Sequence, residues 1–127
     1  MARILVTEDA PAVRESIKDS LEMAGFAVDE APDGEVACDL LQHRAYDLLI
    51  TDLWMPNMDG LDLLKRLRKI NPKMPVIAIS GGAPGRAPID FSVALATTWG
   101  ADIVFHKPFD NDELVEAVKN LLVQYAA

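Results

Sequence analysis

Asp47-Leu48-Leu49-Ile50-Thr51-Asp52-Leu53-Trp54-Met55-Pro56-Asn57-Met58-Asp59-Gly60 decides the fold of this chain. Its first half is an apolar run rich in Leu and Ile, the pattern of a strand buried on both faces. Asp52 stands where that strand ends. Met55-Pro56-Asn57 breaks it, because proline lacks a ladder donor and restricts the residue before it. Asp59-Gly60 then opens an amphipathic helix. A carboxylate at the carboxyl end of a central parallel strand lies on the edge where open α/β sheets carry their chemistry. Taken alone, Asp52 reads as a strand-end turn former. Its partners elsewhere in the chain reverse that preference.

The same alternation extends in both directions. Upstream, Arg3 to Val6 is a short apolar strand ending in Thr7-Glu8-Asp9. Pro11 suits the first turn of a helix whose Val13, Ile17, Leu21 and Ala24 recur at helical spacing, and Gly25 stops it. Phe26 to Glu30 is a second strand. Ala31-Pro32-Asp33-Gly34 turns into a helix marked by Val36, Ala37, Leu40 and Leu41. Downstream, Leu61, Leu64, Leu67 and Ile70 make one face of a third helix, with Lys65, Arg66, Arg68 and Lys69 largely opposite. Met74 to Ser80 is a fourth strand, apolar on both faces. A long Gly- and Pro-rich loop follows, then a fourth helix over Ile89 to Thr98. Ile103-Val104-Phe105 is a fifth strand, followed by His106-Lys107-Pro108-Phe109. Asp110-Asn111-Asp112-Glu113 caps a last helix with acid at its positive end. The buried side of that helix is read as Leu114, Val118, Leu121, Leu122 and Tyr125. Five rounds of strand then helix imply a parallel sheet with helices on both faces and right-handed crossovers. One domain fills residues 1–127.

Bulk properties agree. The chain has 127 residues, half of them hydrophobic, enough for one domain with a real core. No apolar run approaches the roughly 20 residues of a membrane span, and the short N-terminal Met1-Ala2-Arg3-Ile4-Leu5-Val6 is no signal peptide. Its single cysteine, Cys38, sits in a helical pattern as a core or boundary residue and fits a reducing, cytoplasmic compartment. A net charge of -8 argues against direct nucleic-acid binding.

Four strands end in reactive polar residues: Glu8-Asp9, Asp52, Ser80 and Lys107. A doubly wound sheet brings these ends to one edge. Three carboxylates there repel one another unless a cation compensates. A hard divalent ion, which takes a few carboxylates plus waters and phosphate oxygens, does so. The Ser80 hydroxyl and the Lys107 ammonium then complete a pocket for a phosphoryl group. Singly, each has an ordinary explanation: a loop hydroxyl, a surface lysine, a helix N-cap. Their coincidence at strand ends outweighs those explanations.

These residues resemble a receiver domain of a two-component response regulator, single-domain and similar to the chemotaxis regulators, along the whole length. The matching pieces are Glu8-Asp9, Asp52 with Met55-Pro56 and Asp59-Gly60, Ser80 after Pro-Val-Ile-Ala-Ile, and Gly100-Ala101-Asp102 leading to Lys107-Pro108-Phe109. The resemblance implies a flavodoxin-like (βα)5 fold with strand order 2-1-3-4-5. It implies that Asp52 accepts phosphate from a histidine kinase or a histidine phosphotransfer protein. Asp9, Asp52 and the backbone carbonyl of Trp54 would bind Mg2+, with Glu8 acting through a water. Ser80 and Lys107 would engage the phosphoryl group, and a cis peptide bond would precede Pro108. Pulling Ser80 and Lys107 inward would be the local event of a switch, with output through a protein partner on the face of the fourth helix, fifth strand and fifth helix, or by onward phosphotransfer.

The chain departs from the family in two places. Where receivers usually carry Tyr or Phe three residues before the lysine, this one has Val104, and Phe105 should face the other way. That predicts a signal routed through the loop after Ser80 and the fourth helix. The loop itself is longer than usual, and a tolerated surface insertion and a partner-specific lid are both open. Trp54 follows Asp52 by two residues, and Gly82, two past Ser80, offers no side chain to position an attacking water. A long phosphorylated lifetime is therefore expected, and loss of phosphate within seconds at room temperature would contradict it. His43, His106 and Trp99 are assigned no functional role.

Three other readings compete. A Mg2+-dependent phosphohydrolase usually carries a second Asp two residues after its nucleophile, where Trp54 stands here. Enzymatic action on other molecules is therefore not expected; the chain would catalyse only its own phosphorylation and dephosphorylation. A constitutive interaction domain would have no need of Glu8, Asp9, Asp52, Ser80 and Lys107 together. A receiver forming part of a longer regulator stays open beside the stand-alone module.

Overall fold

A computed structural model describes residues 1–55, 57–81, 94 and 96–126. Its order is β1 (Arg3–Thr7), α1 (Pro11–Met23), β2 (Ala27–Ala31), α2 (Gly34–His43), β3 (Leu48–Asp52), α3 (Gly60–Ile70) and β4 (Val76–Ser80). A helical stretch, α4, follows at residues 94 and 96–98. β5 (Ile103–His106) and α5 (Asn111–Ala126) complete it. The five strands form one parallel sheet in the order β2-β1-β3-β4-β5. The flavodoxin-like expectation holds. The loop after Gly81, Gly82 and most of the expected fourth helix lie outside the described residues.

Side-chain alternation divides the core between the two faces of the sheet. Leu5, Leu49, Val76 and Ala78 meet Ala37 and Leu41 of α2 and Leu63, Leu64 and Leu67 of α3. Ile4, Val6, Leu48, Ile50, Ile77 and Ile79 meet Ile17 and Leu21 of α1 and Leu114, Val118 and Leu121 of α5. Each fully buried Leu or Ile contributes about 1.5–3 kcal/mol of transfer free energy. β3 and β4 are buried at every position, as continuous apolar runs require.

The helices begin and end for local reasons. Asp33 Oδ1 accepts from the Val36 amide at 3.0 Å and Asp59 Oδ1 from the Asp62 amide at 2.9 Å, each satisfying a donor of the first turn. Gly25, at φ +97°, ends α1 in a backbone conformation that side chains resist. Two expectations need correction. The inner face of α3 is Leu63, Leu64 and Leu67, while Ile70, in the last turn, is 42% exposed. Tyr125, in the last turn of α5, is exposed rather than buried, and its hydroxyl donates to Asp102 Oδ1 at the surface at 2.6 Å. The second helix forms as its apolar residues mark it, with Ala37 and Leu41 buried and Val36 exposed in its first turn.

Strand register positions the site. Thr7 pairs with Thr51, Asp52 with Ile79, and Ser80 with His106. Glu8 therefore comes level with Asp52, and Ser80 and Lys107 lie within a residue step of it along the same edge. Because successive residues face opposite ways, Val104 packs with the α2–α3 core and Phe105 with the α1–α5 core, its ring 5.9 Å from that of Phe109. The aromatic side chain at this strand end does face away from Val104, as expected.

Candidate functional site

Asp52 is 4% exposed at the end of β3, an unusual place for a carboxylate without strong partners. It has them. Its Oδ1 accepts from the Trp54 amide at 3.2 Å, and its Oδ2 takes the Lys107 ammonium at 3.0 Å. Lys107 Nζ also lies 2.5 Å from Oε1 of the fully buried Glu8. One cation thus bridges two acids from different strands. Burial alone would push the Lys107 pKa down, but hydrogen bonds and charge from Glu8 and Asp52 outweigh it and hold it above its ordinary value.

Asp9 stands at the exposed rim of this group. Desolvation raises its pKa, as do the hydrogen bond and the charge of neighbouring Glu8. Oxygen atoms of Glu8, Asp9 and Asp52 all lie within 4.8 Å of one another. One ammonium facing three carboxylates leaves net negative charge. An all-oxygen donor set of that charge suits a small hard cation and is poorly suited to soft metals.

Ser80 supplies the opposite wall. It is fully buried, and its Oγ has no hydrogen-bond partner among the described residues. An orphaned buried hydroxyl costs about 1–3 kcal/mol. At the end of β4, beside Asp52, it is a donor held ready for an acceptor. Thr7 Oγ1 is similarly buried and unpartnered among the described residues, but it precedes the acidic pair by one strand position.

Close backbone packing sets the height of Asp52 on the sheet. A β-carbon on Gly60 would lie 2.1 Å from the Asp52 carbonyl oxygen and 2.8 Å from Leu53 Cα, so α3 can begin only where there is no side chain. The Gly60 amide donates to the Leu53 carbonyl at 3.0 Å. Asn57, at φ 68°, takes the left-handed turn that Asn tolerates, and its Nδ2 donates to Asp33 Oδ2 at 3.2 Å. On the other side, the Lys107 amide donates to the Ser80 carbonyl at 2.9 Å, and the Lys107–Pro108 peptide bond is cis, as expected.

Glu8, Asp9, Asp52, Ser80 and Lys107 are therefore brought together. Trp54, half-buried, packs against the α2–α3 core and touches the site through its backbone amide. His106 is exposed and stays outside, and His43 lies on the surface beside Asp39. Trp99 is 38% exposed, with Lys65 Nζ 5.2 Å from its ring centre. Sequence reading missed Arg14, whose Nη1 donates to the Glu8 backbone carbonyl at 2.8 Å. Its only signal was a cation one helical turn behind the acidic pair. It also missed Arg68, read as a solvent-facing cation. This guanidinium instead donates to the carbonyls of Met74 at 2.9 Å and Gly100 at 2.7 Å, closing the opposite end of the sheet.

Comparison with known proteins gives the same family from three directions. A family model described as response regulator receiver domain matches residues 4–119. The response regulator MprA of Mycobacterium sp. (strain KMS) is 36% identical over 120 residues, covering 94% of this chain and 50% of that protein. The chain thus spans about half the length of the curated relatives it matches. A CheY-like receiver domain protein from Methanospirillum hungatei superposes with a TM-score of 0.90 at 27% identity, over 99% of this chain and 97% of the other. The response regulator TrrA from Thermotoga maritima, solved in complex with Mg2+-BeF, gives a TM-score of 0.79 at 36% identity, over 95% and 99% of the two chains. Among the described residues, no helix is long and apolar enough to cross a membrane.

Proposed function

The chain belongs to the response regulator receiver domain family of two-component signalling, and from that premise we propose that Asp52 accepts a phosphoryl group from a histidine kinase or a histidine phosphotransfer protein. The observation that carries this is the position of Asp52: buried, with Lys107 on one oxygen, the Glu8–Asp9 pair beside it and the orphaned Ser80 hydroxyl on the neighbouring strand. An Asp52 carboxylate oxygen attacks phosphorus as the bond from phosphorus to the imidazole nitrogen breaks. The electron pair of that bond leaves with the imidazole, and an acyl phosphate forms on Asp52.

The donor set fits Mg2+. Asp9 and Asp52 would hold it directly, with the Trp54 backbone carbonyl as a third ligand and Glu8 through a water. When bound, it neutralises charge on the phosphoryl oxygens. Lys107 shares that charge as an ammonium held fully protonated by its acidic neighbours. Ser80 donates its hydroxyl to a phosphoryl oxygen. The modification adds negative charge and strong acceptor oxygens, the local event of a switch. The chain acts only on its own carboxylate, in the cytoplasm. Its output is a protein contact on the α4–β5–α5 face, or onward phosphotransfer. Tyr125 of α5, 44% exposed and bonded through its hydroxyl to Asp102 just before β5, supports a contact surface there.

Intact mass after incubation with a small-molecule phosphodonor tests the reading, with and without Mg2+ and beside Asp52→Asn. A Mg2+-dependent gain of one phosphate that the variant lacks is expected. No gain under any condition would replace the reading with a constitutive interaction domain.

A further inference from the structure

We infer that Arg14 is a positioning residue for the acidic pair and sets the affinity of the site for Mg2+; this rests on the functional reading above. The Glu8 peptide is held at both ends. Its amide donates to the Ala31 carbonyl at 3.1 Å, and its carbonyl accepts from Arg14 Nη1 at 2.8 Å. That carbonyl belongs to the peptide unit whose nitrogen is Asp9's. Its orientation therefore decides where the Asp9 carboxylate points relative to Glu8 and Asp52.

Arg14 is itself held in place. Its side chain is 16% exposed, and its Nε lies 3.6 Å from Glu30 Oε1 on β2. The other oxygen of Glu30 lies 3.8 Å from Lys18 Nζ. The planar fork of a guanidinium can face a carbonyl and a carboxylate at once, which a single ammonium does less rigidly. The capping position of α1 is Ala10, which has no side-chain cap. A helix side chain from the second turn thus secures the strand-to-helix turn that carries both acids.

A plain salt bridge between α1 and β2 would leave metal affinity alone or change it in the opposite sense. A cation beside a cation site repels the ion, so a purely electrostatic role predicts tighter Mg2+ binding once Arg14 is removed. Positioning predicts weaker binding. The sign separates the two.

Calorimetric titration with MgCl2 of the wild type, Arg14→Met and Arg14→Lys provides the test, with thermal melts to check folding. Residues that support a ligand from behind typically cost tenfold or more in affinity when removed, so Arg14→Met is expected to bind about tenfold more weakly. Arg14→Lys keeps the charge but not the fork, and an intermediate loss of about threefold is expected. Unchanged or tighter binding in folded Arg14→Met overturns the inference. Should that variant fail to fold, unchanged binding in Arg14→Lys does so by itself. A wild type that takes up no Mg2+ brings down the functional reading, and this inference with it.

Discussion

Gly60 lies so close beneath Asp52 that a β-carbon on it would come within 2.1 Å of the Asp52 carbonyl oxygen. The neighbour is backbone of a buried central strand, so it cannot swing aside. Gly60→Ala is therefore expected to shift α3 or the end of β3, at a cost of about 1–3 kcal/mol or more. Urea denaturation reads the stability, and the rate of mass gain with a phosphodonor reads the effect on Asp52. A variant within about 0.5 kcal/mol of wild type, the usual range for a harmless surface change, would show that the contact relaxes freely.

Removing the bridging ammonium isolates the acids. Lys107→Ala would leave fully buried Glu8 beside Asp52 with no countercharge from that side. Breaking a buried pair by deleting one partner costs on the order of 3 kcal/mol. A divalent ion held by the same carboxylates offsets part of that loss. The melting temperature of Lys107→Ala is thus expected to fall in Mg2+-free buffer and to rise more steeply with added Mg2+ than that of wild type. An equal Mg2+ response in both proteins would mean that Lys107 and the ion do not share these charges.

Tyr46 gives a pH signature far from the site. Its hydroxyl donates to Asp29 Oδ2 at 2.6 Å. Burial, that hydrogen bond and the Asp29 charge push the phenol up to about 12. A folded pKa above the unfolded one means that the protonated form stabilises the fold. That contribution is whole below the ordinary tyrosine value near 10 and disappears as pH rises through about 12. Ultraviolet titration should show the Tyr46 phenol ionising near the upper value. Tyr46→Phe should lose about 1 kcal/mol at neutral pH and lack that component. Normal ionisation near 10 in the folded wild type would contradict this.

Val104 cannot act as a swinging aromatic arm. It packs in the α2–α3 core and pairs with Ala78 of β4. Val104→Ala is expected to leave the phosphorylation-induced chemical-shift changes on α5 in place, because the signal is read as travelling through the loop after Ser80 and the fourth helix. Loss of those changes would return the role to this position.

The fold was legible because its signals are local. Period-two and period-3.6 patterns, Pro11, Gly25 and the Asp caps each act within one element, strict alternation implies a parallel sheet, and the strand order followed from the resemblance to receiver domains. The site was legible because strand ends in such a sheet converge. What stayed hidden depends on residues distant in sequence. Nothing near Arg68 reveals that its guanidinium reaches carbonyls as far along as Gly100. The clash behind Gly60 exists only once α3 docks under β3. Asp29 reads as an ordinary strand polar residue until Arg3, Arg44 and Tyr46 close around it. Ile70 and Tyr125 keep the apolar period but fall in the last turns of their helices, where the sheet no longer covers them.

The central claim is that Asp52, and neither of its acidic neighbours, carries the phosphate. Acyl phosphates are reduced by borohydride to the alcohol, so the modified aspartate becomes homoserine with release of phosphate. Phosphodonor-treated protein should be reduced in this way, digested and sequenced by tandem mass spectrometry. Homoserine at residue 52, absent without Mg2+, is the expected result. Reduction at Asp9 or Glu8, or at no residue in protein that had gained phosphate, would contradict the assignment.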